Sequence, residues 1–429
     1  MFDMELKHRR ILALSFLFIF FIIAPLTVLY ANGFRINLKP LQITKTGSIS
    51  LFGEPKNVLI EINDDEPDSF NLPKSFRYLL PGNYKINISA NQYLDWPIEV
   101  NVKAGESSNL SNIQLIKDNP ISTLMTGLPN NAKLSPSGEW IAWILDEKIQ
   151  VSSENKKNES QKVKGLASIV WANDGQAVIG FNATNQPLAK FSIEAKFEMI
   201  PQQTQKFEFL GANLNFLLAK EKNNYFIFQD SIWTLLPLTD ILEIKITNDN
   251  ILVLNIDDQN QNTLSWYNPT LKLQRKINLP ATNGAELLSE NNHIWILDNS
   301  QNRSLLLVPE FSNYKILEFP FRFEHIQNIP NTKDLFVYNQ NSAWLINEHG
   351  DYSIVSRWSE SVIKPILLGN QTLAIIGNNE ILLRNLQYNK SFTFKVKDLE
   401  SADFANKNGI FYFTAKDGDL RSWQKAEFF

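Results

Sequence analysis

The chain contains no cysteine among its 429 residues, and that absence removes disulfides, thiolate metal sites and thiol nucleophiles together. Histidine is nearly as scarce. His8, His293, His325 and His349 stand at spacings that match no metal motif such as His-Glu-x-x-His, and they read as turn or strand-edge residues. No G-x-S-x-G elbow, phosphate-cradling glycine loop or nucleotide fingerprint occurs. A net charge of −4 supplies no overall field for nucleic acid or an anionic surface. No catalytic, cofactor-binding or metal-ligating residue is therefore expected, and the chain reads as a non-enzyme.

What is present is apolar material, with 44% hydrophobic and 12% aromatic residues. A chain of this length exceeds what one core usually serves, so more than one folded unit is expected. From Ile11 to Tyr30 the sequence runs ILALSFLFIFFIIAPLTVLY without a charge, and a helix of about 20 residues at about 1.5 Å each crosses a hydrocarbon core of roughly 30 Å. Pro25 inside it is tolerated in membrane helices. Lys7, His8, Arg9 and Arg10 precede the run, whereas only Arg35 follows closely, so the positive-inside bias leaves a short stub, 1–10, in the cytoplasm. The stub is too short to fold, so no internal signalling domain is expected. A cleaved signal peptide ending at Ala31 is the alternative. Leu29 stands where a small side chain is wanted, and the run exceeds the roughly 7 to 15 residues of a signal core. A disulfide-free domain outside the membrane suits a large β protein of bacterial or archaeal type.

A polar linker is expected over 32–46. Over 47–117 apolar residues alternate with polar ones in Ser48–Phe52, Val58–Ile62, Tyr84–Ser89, Ile98–Val102 and Leu110–Leu115, the pattern of a small antiparallel sandwich. Gly53 to Val58 (GEPKNV), Asn63-Asp64, Leu80 to Tyr84 (LPGNY), Gln92-Tyr93 and Val100 to Val102 resemble the PEGA domain over about seventy positions. In the L-P-G-x-Y piece, Pro81 and Gly82 are expected to supply the fixed and positive φ of a tight turn, with the Tyr84 ring capping the sheet edge. The sequence departs from the family where Pro55 to Val58 (PKNV) replaces the eponymous motif and Gln92 replaces a glycine. The resemblance implies a non-catalytic module outside the membrane.

Between 118 and 429 one pattern recurs, seen best in Leu134 to Trp143 (LSPSGEWIAW): a Gly, Asn or Asp turn, an apolar run, a second turn and a second run. The runs taken as inner strands are Trp140–Trp143, Ala177–Phe181, Leu214–Leu218, Ile251–Leu254, Ile294–Leu297, Leu335–Tyr338, Leu373–Ile376 and Ile410–Phe413. Second runs follow, such as Lys148–Val151, Thr263–Tyr267 and Leu420–Trp423. A period of about 35 to 45 residues is that of a four-stranded propeller blade. Ser135 to Gly138 (SPSG) and Trp171 to Gly175 (WANDG) resemble TolB-type propeller repeats. Eight copies predict eight blades, or seven if the third is an elaboration. Too few residues follow the last run to complete its sheet, so Ile121–Met125 is expected to supply the outer strand and close the ring.

The fold class is thus mainly β: one transmembrane helix (11–31), a PEGA-like sandwich (47–117) and a β-propeller (118–429). The acid pairs Asp64-Asp65, Asp146-Glu147 and Asp257-Asp258 read as turn residues bonding their own backbone. Asp257 to Asn262 and Asp298 to Asn302 lack the glycine and terminal glutamate of a calcium loop. Most tryptophans fall in strands, where packing between blades is the ordinary use. Sequons at Asn87, Asn109, Asn182 and Asn370 matter only in a glycosylating host. The functional expectation is a single-pass, membrane-anchored, extracytoplasmic binding or scaffold protein with protein or cell-wall partners and no nucleic acid. Its contact loops are expected at Asn182–Gln186, Lys220–Asn224, Asp257–Asn262, Asp298–Arg303 and Asn339–Asn341. The alternative is a propeller-based hydrolase or lyase on glycans or peptides, which requires groups such as His293, His325, Asp258 and Asp298 to converge in one pocket.

Overall fold

A computed structural model describes all residues except 1–5, 39–40, 202–205, 239, 248–249, 257–260, 269, 281, 283–284, 291–292, 311–312, 330–331, 359–361, 363, 369–371, 389, 397–398, 400–403, 408–409, 418–419 and 429. The chain divides into two compact units, 1–120 with 427–429, and 121–426.

The first unit opens with helix α1, Leu6–Ala31, five residues earlier at its start than the apolar run. Its 18-residue stretch Leu14–Ala31 is long and apolar enough to cross a membrane, and none of that stretch is buried in the protein. Where a polar linker is expected, Phe34–Leu38 and Leu41–Lys45 pair as an antiparallel hairpin. Its base is fastened by Thr46, whose backbone N–H and hydroxyl both donate to the Gly33 carbonyl, at 2.9 and 2.6 Å. Gly33, at φ 83°, ends the helix in the left-handed conformation that suits glycine.

Two sheets follow. One orders Lys74–Leu79, Gly47–Glu54 and Ser107–Gln114, and the other Asp68–Asn71, Asn57–Ile62, Gly82–Ser89 and Trp96–Val102. Gly47–Glu54 pairs in parallel with Ser107–Gln114, so the unit is mixed where an antiparallel one is expected. Ile49, Leu51, Val58, Ile60, Ile86, Ile88, Trp96 and Ile113 are buried in it, the inward half of the period-two pattern. The turn before Gly82 asks less of glycine than expected, because φ there is 158° and an added Cβ would meet nothing within 4 Å. Tyr84 donates its hydroxyl to the Leu80 carbonyl at 2.9 Å, across that turn.

The second unit holds eight four-stranded antiparallel sheets among the described residues. Seven are continuous meanders over 133–159, 168–199, 208–235, 241–278, 285–319, 325–357 and 364–395. The eighth combines Phe404–Lys407, Ile410–Asp417 and Leu420–Ala426 with Ile121–Leu128 as its outer strand. Ile121 faces Ala426 and Met125 faces Trp423 across that last ladder, the pairing expected of the closing segment. The N-terminal strand thereby completes the C-terminal sheet.

Buried side chains show how successive sheets meet. Ile149, Val151, Ile169, Trp171 and Phe191 form one cluster from the first and second sheets. Leu252, Trp266, Leu287 and Ile296 form another from the fourth and fifth, and Leu134, Trp143, Tyr412 and Trp423 join the first sheet to the eighth. Each such core lies between neighbouring sheets, which is the packing of a β-propeller and not of two facing layers. Tryptophans 143, 171, 266, 295, 344 and 423 are buried there. The apolar runs read as inner strands are the second strand of each sheet, whereas the first strands of successive sheets lie against one another. The third run is displaced: Leu217–Glu221 is the strand, and Leu214 and Phe216 belong to a turn in which Asn213 Oδ1 accepts the Asn215 and Phe216 N–H groups.

The recurring turns also carry polar ties around the ring. Gly138 sits at φ 79°, and a Cβ there would meet the Tyr412 Cβ at 2.6 Å, so the first turn packs against the eighth sheet. Asp174 accepts the Gln176 N–H within its own turn and the Leu214 N–H of the next sheet, the latter at 2.6 Å. Asp174→Ala strands the part-buried Leu214 donor and is expected to lower stability by about 1–3 kcal/mol. The check is an earlier urea midpoint with an unchanged slope; a wild-type midpoint would show the tie to be dispensable.

Candidate functional site

The expected contact loops of the second unit join the second and third strands of their sheets. In two of them an asparagine side chain holds the turn. Asn182 Oδ1 accepts the N–H groups of Thr184 and Gln186 at 3.0 and 2.9 Å. Asn339 Oδ1 does the same for Asn341 and Ser342. Lys220 places its ammonium 5.3 Å from the Tyr225 ring centre. Residues 257–260, which include Asp257 and Asp258, lie outside the described residues.

The loops of the fifth and sixth sheets converge on charged groups. The Asp298 carboxylate has no exposed surface. Oδ1 accepts the Ser300 hydroxyl at 2.6 Å and the N–H groups of Ser300 and Gln301, and Oδ2 accepts Arg303 Nε at 3.0 Å. Burial alone would raise the Asp298 pKa, but these donors outweigh it and hold the group below the ordinary carboxylate value. Arg303 also donates to Glu318 at 2.8 Å. Arg322 donates to Asn299 Oδ1 at 2.7 Å and faces Glu286 at 3.5 Å, while its backbone carbonyl accepts from Asn339. The result is a mixed-charge cluster, partly buried, in which Asp298, Arg303 and Glu318 are paired with one another.

A second polar seam runs between the same two sheets. Glu290 and His293 are partners across one hairpin. His293 Nε2 lies 2.7 Å from Asn328 Oδ1, and His325 Nδ1 lies 3.5 Å from Glu290 Oε2. The same carboxylate oxygen accepts the Ile326 N–H at 3.1 Å. The His325 ring stacks on Tyr338 at 4.8 Å. Burial raises the Tyr338 pKa and lowers that of Lys364, and the Glu290 charge adds to the first effect and opposes the second.

His293 and His325 therefore share a seam but bond different partners, and Asp298 belongs to the separate Arg303 cluster. The convergence that an enzyme reading requires is not formed by these three. His349 is exposed and stands 4.0 Å from Glu348. Among the described residues no three of His, Asp and Glu gather as metal ligands. Asp64, Asp146 and Glu147 all take positive φ, as turn residues do, and Glu147 accepts the Gly165 N–H at 3.0 Å. The residues missed by sequence reading are Glu290, Tyr338 and Lys364, which come from the fifth, sixth and seventh sheets, and Arg322, which lies between the fifth and sixth; none carries a motif.

No family model and no curated protein matches this sequence. Among solved structures the chain is similar to the Dos1 propeller, at 12% identity and a TM-score of 0.44 over 71% of this chain and 93% of that one. It is similar to Sqt1 of Saccharomyces cerevisiae, at 12% identity and 0.43 over 72% and 98%. Apo AztD of Citrobacter koseri is a third, at 10% identity and 0.42 over 64% and 88%. The propeller assignment rests on the ring of sheets and the clusters between them.

Proposed function

We propose that this chain is a single-pass membrane protein that holds a PEGA-like sandwich and an eight-bladed propeller on the extracytoplasmic side, as a binding or scaffold module for protein or cell-envelope partners. The observation that carries the reading is α1: Phe16, Phe18, Phe20 and Phe21 are each more than 60% exposed, and burying such rings in lipid is worth about 1.5–3 kcal/mol apiece. Lys7, Arg9 and Arg10, in the first turns of α1 ahead of its apolar run, favour an inside N-terminus. Arg35 donates to the Tyr30 carbonyl at 3.0 Å and lies over the Tyr30 ring, contacts that cleavage after Ala31 would forfeit, so they favour a retained helix. The eight sheets and the closing strand support eight blades, and the Tyr84–Leu80 bond supports the PEGA-like turn. A disc with loops on its faces suits recognition better than chemistry, and the charged groups of its Asp298 cluster are paired with one another.

The test is a C-terminal alkaline phosphatase fusion together with the mass of the membrane-bound chain. The expected result is an active phosphatase on a full-length chain that resists carbonate extraction. An inactive fusion, or a soluble chain starting after Ala31, would overturn the proposal.

A further inference from the structure

Two adjoining hollows lie where α1 meets the hairpin and the sandwich. The first, about 290 Å³, is lined by Leu26, Leu29, Tyr30, Phe34, Arg35 and Ile43 and is almost wholly apolar. The second, about 360 Å³, includes Lys45, Thr46, Ser48, Arg77, Tyr78 and Ser107. Arg35 lines the first and reaches Tyr78, which lines the second. Its guanidinium is held between the rings of Tyr30 and Tyr78, at 3.8 and 4.1 Å, and it donates to the carbonyls of Tyr30 and Phe34. Lys45 lies across Gly105, where an added Cβ would meet its Nζ at 2.8 Å, so its ammonium is laid into the polar hollow. The acid at that rim, Glu106, faces Lys103 at 3.8 Å. Neither Lys45 nor Arg77 has a carboxylate partner among the described residues.

We infer that this notch binds one anionic phospholipid of the outer membrane surface, with an acyl chain against Leu26, Leu29 and Ile43 and the phosphate between Lys45 and Arg77. The inference rests on the anchored reading of α1. At about 1.5 Å of rise per residue, Leu26 and Leu29 sit roughly 3–8 Å below the helix end at Ala31, the depth of the glycerol and upper chain. The polarity changes from apolar to cationic in the direction in which a lipid changes from chain to phosphate. A zwitterionic headgroup would bring its own ammonium towards Lys45 and Arg77, whereas phosphatidylglycerol would not.

The experiment reconstitutes the full chain in nanodiscs of mixed phosphatidylcholine and phosphatidylglycerol, then identifies the lipids that it retains by native mass spectrometry. Wild type is expected to keep phosphatidylglycerol with a preference of roughly tenfold or more, and Lys45→Gln with Arg77→Gln to abolish the preference, since each such cation near a surface is worth about a factor of five. Both side chains are exposed, and unchanged circular dichroism would confirm that the variant folds. Equal retention of the two lipids by wild type overturns the site, as does an unchanged preference in the variant. Displacement by inorganic phosphate assigns the hollow to a free anion and overturns the lipid. A chain that never enters the nanodisc overturns the anchor itself, which separates that failure from the loss of lipid preference.

Discussion

Trp423→Ala is expected to cost about 3–5 kcal/mol of stability, the range for deleting a large buried ring. Trp423 is 1% exposed. It lies on the third strand of the eighth sheet, opposite Met125 on one side and Thr414 on the other. Its ring packs with Leu128, Leu134, Trp143 and Tyr412, so the cavity would open where the first and last strands of the ring are joined. Nε1 is buried without a hydrogen-bond partner among the described residues, a group whose desolvation costs about 1–3 kcal/mol. Trp423→Phe discards that unmet donor and keeps most of the ring, so its cost is expected to stay below about 1.5 kcal/mol. Urea unfolding followed by near-ultraviolet circular dichroism checks both. An alanine variant with the wild-type midpoint would show that this ladder does not hold the ring shut.

Arg303→Ala should be as damaging by a different route. It leaves the buried Asp298 carboxylate without its cation, a change that typically costs about 3–5 kcal/mol. The neighbouring Glu318 loses its partner as well. The pH dependence follows from the direction of the Asp298 shift. A carboxyl whose folded pKa lies below its unfolded value near 3.9 adds stability that is fully present above that value and is lost as pH falls through the folded one. Removing Arg303 lets burial dominate, raises the folded pKa and moves the acid limb of the stability curve to higher pH. Thermal midpoints measured from pH 3 to pH 7 provide the check. An acid limb unmoved in the variant would mean that the Ser300 and Gln301 donors suffice alone.

How legible each strand was depended on how it is covered. Ala177–Phe181 and Leu335–Tyr338 are buried along their length and are readable as continuous apolar runs. The first strands of the sheets were missed because those nearest the ring's centre carry residues such as Glu243, Lys245, Glu290, His325 and Gln327, which interrupt any apolar run. Asp68–Asn71 and Lys74–Leu79 are polar and mostly exposed, so neither period nor composition marks them. The apolar stretch from Leu214 to Ala219 gave no internal marker of register, and only the Asn213 turn fixes Leu217 as the first strand residue. His293 and His325 were singled out as residues, but their partners Asn328 and Glu290 lie on other strands and could not be paired from spacing.

The sequence by itself determined the apolar helix, the absence of thiol chemistry, the β content and the repeat, since these depend on composition and on local period. It also marked Ile121–Met125 as the strand that the last sheet lacks, because a count of runs per repeat suffices for that. The tertiary structure alone decided the hairpin at 34–45, the parallel pair in the sandwich, and the Arg303, Glu290 and Arg35 clusters. Those depend on side chains from distant segments meeting at hydrogen-bond distance, and backbone periodicity carries no record of such meetings.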